Sequence, residues 1–359
     1  MKKILSLQGI RALCFLGIFL EHSGVISLGS WGVEVFFVLS GFLMTYNYYD
    51  RKIEESNLKF AFRKIKKLYP LHIIMMVFVI LLCPHGLYWN SIRKSIISLA
   101  KLIFNIFLMQ SWIPKSEFYF SLNSVSWYLS TATFLYFVFP RIMTHLKLAK
   151  KSQMILRGGL ILFLQVIVCI FLEINKFSIY NISPKVSDNL IKYISYICPL
   201  YRLGDFYMGC IIGRVFLLNN KKYNNIVWFS AMEALAFIGI PLFWCIDVNQ
   251  IGILGMESFR YSFLYQLNAV AIVYIFSFEI GVFSKLLRSK PVMVIANLSA
   301  YGFLIHQCVI VCVKKYCPVF ITQNNYFVTL LSLCITLVLS CFYRKAQGMS
   351  PRLDKKKQI

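Results

Sequence analysis

Long apolar runs dominate this chain, and the polar positions between them come in short clusters. Runs able to cross a hydrocarbon layer, which takes about 20 residues, begin near residues 9, 33, 68, 96, 127, 157, 197, 227, 263, 293 and 327. Each is read as a helix, because a bilayer core supplies no water to satisfy an open backbone. Eleven crossings from an inner N-terminus would leave the tail RKAQGMSPRLDKKKQI and the segment HLKLAKKSQMILR outside. Both placements oppose the tendency of basic loops to stay inside. Removing one crossing between residues 68 and 144 repairs both, and the weakest run there is SIRKSIISLAKLIFNIFLMQSW. Its Arg93, Lys94 and Lys101 suit a surface-lying or re-entrant helix. The expected fold is an all-α polytopic membrane protein, a bundle of about ten transmembrane helices plus one interfacial or re-entrant helix.

Composition agrees with this pattern. Of 359 residues, 58% are hydrophobic and 14% charged, and no stretch between the runs is long enough for a separate soluble core. Residues 1–343 are expected to form one membrane domain, and 344–359 a basic, disordered cytoplasmic tail. The formal charge of +24 would point to nucleic acid in a soluble protein. Here the cations fall in loops assigned to the inner side: Lys2 and Lys3, Arg51 to Lys67, Lys147 to Arg157, Lys221 and Lys222, Lys285 to Lys290, and the tail. The bilayer is therefore the expected partner, with no nucleic acid, and both termini are placed on the cytoplasmic side of the cell membrane. The start, MKK before an apolar run, imitates a signal peptide, but Arg11 interrupts the run and no A-x-A site follows, so it is expected to stay attached. Eleven scattered cysteines include no CxxC pair and have no histidine cluster beside them, so no metal is expected.

Ionisable side chains inside the runs cost at least about 2.5 to 3.5 kcal/mol each, and those retained usually face the bundle or a wet cavity. They are Arg11, Glu21, His22, Glu34, Arg202, Asp205, Glu233 and His306. Arg11 and His22 are eleven residues apart, a spacing that returns to nearly the same helix face roughly 16 Å further along the axis. Such a stripe can hold an anionic donor below and do proton chemistry above; a plain interfacial histidine fits the spacing equally well. Glu21 points about 100° away and reads as an interfacial carboxylate. Glu34, near the start of the second run, either orients His22 or forms a structural salt pair. In FAFRKIKKLYP, Arg63, Lys64, Lys66 and Lys67 serve either as topogenic charge or as a phosphate-binding cluster.

Three of these stretches resemble the membrane-bound acyltransferase-3 family, whose members O-acylate cell-surface carbohydrates. LQGIRALCFLGIFLEHS is similar to its opening helix, in which an arginine and then ten residues precede a histidine, giving Arg11 and His22. GVEVFFVLSGF, from Gly32 to Phe42 and including Ser40, resembles its second signature, and RKIKKLYP its basic stretch before a proline, with lysines where arginines are common. RLGDFYMGCIIG, from Arg202 to Gly213, and SAYGFLIHQ also look like family segments and bring in Asp205 and His306. The likeness runs over nearly the whole chain. One departure follows Trp127, where many members carry a glutamate pair and this chain has Ala132 and Thr133. Many members also continue into an extracytoplasmic esterase-like domain, whereas this sequence ends in a short basic tail, so acceptor handling is expected in the membrane domain or a separate partner.

The resemblance implies transfer of an acyl group, usually acetyl, from cytoplasmic acyl-CoA to a hydroxyl of an outer polysaccharide or glycolipid. His22 and Glu34 are then the catalytic candidates, and Arg11, Arg63, Lys64 and Lys67 the donor-binding ones. Ser40, Trp127, Arg202, Asp205 and His306 complete the candidate set. Acceptor, acyl length, a covalent acyl-enzyme and oligomeric state stay open at this level. A transporter or flippase of a lipid-linked sugar is the alternative, since buried charge also marks transport paths, but no inverted repeat supports it. An envelope-assembly protein that has lost the chemistry is the third reading.

Overall fold

The computed structural model describes residues 2–82, 87–182, 190–219, 223–318 and 322–348, without the side chains of 177–182. It is helical throughout, with no strand among the described residues. The longer helices are α1 (Leu5–Ser23), α2 (Gly29–Tyr48), α3 (Asn57–Ile65), α4 (Tyr69–Leu82), α5 (Ile92–Ile106) and α6 (Trp127–Leu148). They continue as α7 (Lys151–Ile182), α8 (Pro199–Leu218), α9 (Ile226–Asn249), α10 (Phe263–Phe276), α11 (Lys290–Tyr316) and α12 (Asn325–Ala346). Every apolar run named above falls on one of these helices. The expected boundary at 343 lies inside α12, which continues to Ala346. Residues 349–359 of the expected tail, and Lys221 and Lys222, lie outside the described residues.

By length and apolar character, five helices among the described residues can cross a bilayer: α1, α7 as far as Lys176, α9, α11 and α12. A sixth forms if α3 and α4, bent by 61° at their junction, count as one broken span. The figure of ten is not reached on this measure. Arg202, Asp205 and Arg214 make α8 too polar to qualify, and α10 has only 14 residues. Both helices bury their polar side chains against neighbours rather than presenting an apolar face all round.

The core is built on α2, which packs against α1, α8 and α10. Its closest approach is to α8, through two glycines: a Cβ on Gly41 would run into the Phe206 carbonyl, and one on Gly209 into the Val38 carbonyl. Small residues let two backbones touch where lipid tails offer no hydrophobic drive. α1 lies between α2 and α11. The spans of α1 and α11 are 56% and 67% buried, against 17% for α9, so α1 and α11 are interior helices and α9 a peripheral one.

Carboxylates cap three of the helix starts, where free N–H groups and the helix dipole favour negative charge. Glu279 accepts from the backbone N–H of Leu5 at 2.6 Å and Ser6 at 3.2 Å. Glu21 accepts from Gly29 at 2.5 Å at the start of α2. Buried Glu233 accepts from Gly281 and Ser284 at the head of the short helix Val282–Leu287. Two of the ionisable residues flagged in the sequence, Glu21 and Glu233, thus have structural partners.

The weakest run forms α5, and the chain turns back after it. Tyr69 Oη donates to Ile106 O at 2.9 Å, and His72 Nε2 lies 3.0 Å from Asn105 O, which fixes the end of α5 against the start of α4. Gln110 then bonds Ser126, and Ser111 bonds Ser130, tying the returning segment to the head of α6.

Candidate functional site

His22 sits in the last turn of α1 and His306 in α11. Their rings meet, with His22 Nδ1 2.7 Å from His306 Nε2. The ring planes differ by 17° and the centroids are 5.0 Å apart, an edge-to-edge arrangement suited to one N–H···N bond. His306 is fully buried, and its Nδ1 faces only carbonyl oxygens, those of Phe303 at 2.8 Å and Gly302 at 3.1 Å. A nitrogen surrounded by carbonyls must carry the proton, so Nε2 of neutral His306 is an acceptor. The bond therefore runs from His22 Nδ1–H to His306 Nε2, and the lone pair of His22 Nε2 takes no part in it. An orienting group on the far nitrogen of a base is the arrangement that general-base catalysis uses.

Glu34 does not supply that orienting group. It is fully buried in α2, and its Oε2 accepts from Arg202 at 2.7 Å and from Ser262 at 2.8 Å. Arg202 also donates to Asp205 at 2.8 Å and to the Tyr196 carbonyl at 2.7 Å. The second Asp205 oxygen takes Gln165 at 2.7 Å and Gln266 at 3.0 Å. Of the two expectations for Glu34, the salt pair is what the structure contains. Gln165, Ser262 and Gln266 were missed in the sequence, although Gln165 is a lone polar residue in an apolar run and carried a usable signal. Trp127 is buried at the head of α6, with its ring 5.0 Å from Tyr196 and 6.3 Å from Phe37.

Below the histidine pair lies a cavity of about 300 Å³ between α1, α2, α3, α6 and α11. Arg11 and Lys64 are its cations; Ser40, Tyr136 and Ser299 add polar atoms, and Phe36, Tyr128 and Phe303 add rings. Ser40 Oγ and Tyr136 Oη are 3.3 Å apart. The Phe303 ring lies 5.9 Å from His306 and 5.3 Å from Tyr128, so the aromatic end of the cavity abuts the histidine pair. Ala132 lines the same cavity, while Thr133 bonds back to Leu129 O at 2.7 Å. The cavity wall thus carries cations and no carboxylate.

The four basic candidates separate. Arg11 and Lys64 line the cavity, with the Lys64 ammonium over the Tyr48 ring at 4.1 Å, whereas Arg63 is an exposed residue paired with Glu55 and bonded to Tyr48 Oη at 3.0 Å. That guanidinium holds the Glu55 carboxyl below the usual carboxylate range. Lys67 is exposed and does not line the cavity.

Comparison with known proteins agrees with the motifs. Acyltransferase MdmB of Streptomyces mycarofaciens is 32% identical over 124 residues, 32% of this chain and 29% of that protein. O-acetyltransferase OatA of Staphylococcus aureus (strain NCTC 8325 / PS 47) is 26% identical over 332 residues, 86% of this chain and 51% of that protein. The chain thus spans about half the length of OatA and less than a third of MdmB. No solved structure matches. The family described as "Acyltransferase domain" matches residues 4–344, nearly the entire sequence, and the chain belongs to this acyltransferase-3 family.

Proposed function

We propose that the protein transfers an acyl group, acetyl in the first place, from cytoplasmic acyl-CoA to a hydroxyl of an outer glycan or glycolipid. The observation that carries this reading is the His22–His306 bond, which leaves a free imidazole lone pair next to the aromatic end of a cavity whose cations lie elsewhere in its wall. The donor set fits the substrate in outline. Arg11 and Lys64 match phosphates, and about 300 Å³ is at the lower end for a small-molecule site, suited to an acyl-thiol arm rather than a whole nucleotide.

In this reading His22 Nε2 takes the proton of the acceptor hydroxyl. The hydroxyl oxygen bonds to the thioester carbonyl carbon, the C–S bond breaks, and the thiolate leaves with the proton that His22 returns. His306 keeps His22 in the required tautomer throughout. Positioned general acid–base groups contribute about 10² to 10⁴ in rate. Ten crossings, both termini inside and residence in the cell membrane complete the proposal; the basic loops support that orientation.

The test is NMR of surface glycans from cells making the wild type or His22→Ala at equal membrane levels. Loss of the ester acetyl signals in the variant is expected. Unchanged signals would show that His22 is not the base.

A further inference from the structure

Toward the histidine end of the bundle, a second group of side chains is not used by the chemistry above. Lys192 stands just before a single π-helical turn, Tyr193–Ile197, that leads into α8. Its ammonium lies over the Phe120 ring at 5.3 Å and the Tyr261 ring at 5.8 Å, and Asn123, three residues after Phe120, donates to the Leu304 carbonyl at 2.9 Å, two residues before His306. His22, Glu21, Phe120, Lys192, Tyr196 and Tyr261 are all half-buried, so they form the accessible rim of the site rather than its core.

The charges around this rim are mostly satisfied. Arg260 pairs with Asp247 at 2.7 Å, Lys176 with Glu257 at 2.5 Å, and Glu21 is bound to the start of α2. Among the described residues Lys192 has no carboxylate within ion-pair distance. A second polar group is also left over. Tyr119 is fully buried, its hydroxyl has no hydrogen-bond partner among the described residues, and its ring stacks on Tyr193 at 5.9 Å beside Phe120 at 4.5 Å. A buried hydroxyl without a partner loses its hydration with nothing in return, so such a group calls for a ligand or a water.

We propose that Lys192, Tyr119, Phe120 and Tyr261 form the acceptor subsite, and that it selects a sugar ring bearing a carboxylate. The aromatic rings supply faces for the apolar side of the ring, the Tyr119 hydroxyl supplies a hydrogen bond, and Lys192 supplies the counter-charge. One ammonium supplies one positive charge, the complement of a single carboxylate. The inference rests on the acyl-transfer reading only for the word acceptor, because the subsite itself is read from binding.

The experiment is saturation-transfer NMR on the detergent-purified full chain with methyl β-D-glucuronide and methyl β-D-glucoside, which differ by one carboxylate. The wild type is expected to bind the glucuronide at least about tenfold tighter. Lys192→Met removes that preference, Lys192→Arg keeps it, and Tyr119→Phe weakens both sugars by a similar factor. Equal binding of the two sugars, no saturable binding of either, or an intact preference in Lys192→Met each overturns the proposal. Gel filtration confirms that each variant is folded. Acetyl-CoA titration of the same samples, compared with Arg11→Gln, reports on the donor reading separately, so failure of one is not failure of the other.

Discussion

The tautomer of His22 is set by a residue 284 positions away in sequence, and that makes a sharp expectation for His306. His306→Leu removes the acceptor for His22 Nδ1–H and frees the ring to adopt the wrong tautomer. A fall in kcat of the order of 10²-fold with little change in acyl-CoA KM is expected. His306→Gln, whose amide oxygen can still accept, should keep more activity, and equal losses in the two variants would mean that His306 only fills space. Ala132 gives a second expectation at this scale. It lines the cavity with Arg11 and Lys64, so Ala132→Glu puts a carboxylate where the proposed reading seats the phosphates of the donor. Acyl-CoA KM should rise about tenfold or more, measured by radiolabelled acetyl transfer, and an unchanged KM would remove Arg11 and Lys64 from the donor site. Arg11, His22 and the departure at Ala132 were all visible in the motifs. Which bases line the cavity was not, because the head groups of the adjacent Arg63 and Lys64 both lie over the Tyr48 and Phe60 rings while Lys64 alone also lines the cavity, a division that only tertiary packing decides.

At the scale of elements, the contact between α2 and α8 depends on two glycines and on one buried charge cluster. Gly209→Leu drives a side chain into the Val38 carbonyl and must separate the helices. Overpacking of this kind costs typically 1–3 kcal/mol, and a backbone collision belongs at the upper end. Arg202→Met leaves Glu34 and Asp205 buried without their cation, a loss of about 3–5 kcal/mol, whereas adding Glu34→Gln and Asp205→Asn should recover part of it. Thermal unfolding in detergent ranks the variants, and a triple variant no better than Arg202→Met alone would argue against the cluster acting as a unit. The members were legible one by one as ionisable residues in apolar runs. Their pairing was not, since Glu34 and Arg202 are 168 residues apart and helix faces alone do not specify neighbours. For the histidines a usable signal did exist. His22 lies 17 residues beyond the start of α1 and His306 16 beyond the start of α11, which places them at nearly equal depth if the two helices run parallel. The helix α3 was hidden for another reason: its cations mask an amphipathic pattern in which Phe60, Ala61 and Ile65 are buried behind an N-cap at Ser56.

For the whole molecule, the proposed chemistry requires that the two ends of the site open to opposite sides of the bilayer. Arg11 and His22 are on one continuous helix, so they are separated along its axis by roughly 16 Å, about half a hydrocarbon thickness. The cation end then draws a donor from one compartment while the histidine end meets an acceptor in the other, and the acyl group alone passes between them. Helical composition leaves this orientation undecided, because polar helices such as α8 escape a count based on apolar length. The proposed orientation rests on loop charge: Arg51 and Lys52 follow α2, whereas Gln250, after α9, has no cation next to it in sequence. Single reporter cysteines in a cysteine-free variant that retains function test the consequence directly. Lys52→Cys should react with a membrane-impermeant maleimide only after the cells are opened, and Gln250→Cys in intact cells. Labelling of both from the same side would break the two-compartment arrangement and with it the transfer path, even if His22 proved essential, because the base and the donor cations would then serve a single aqueous phase.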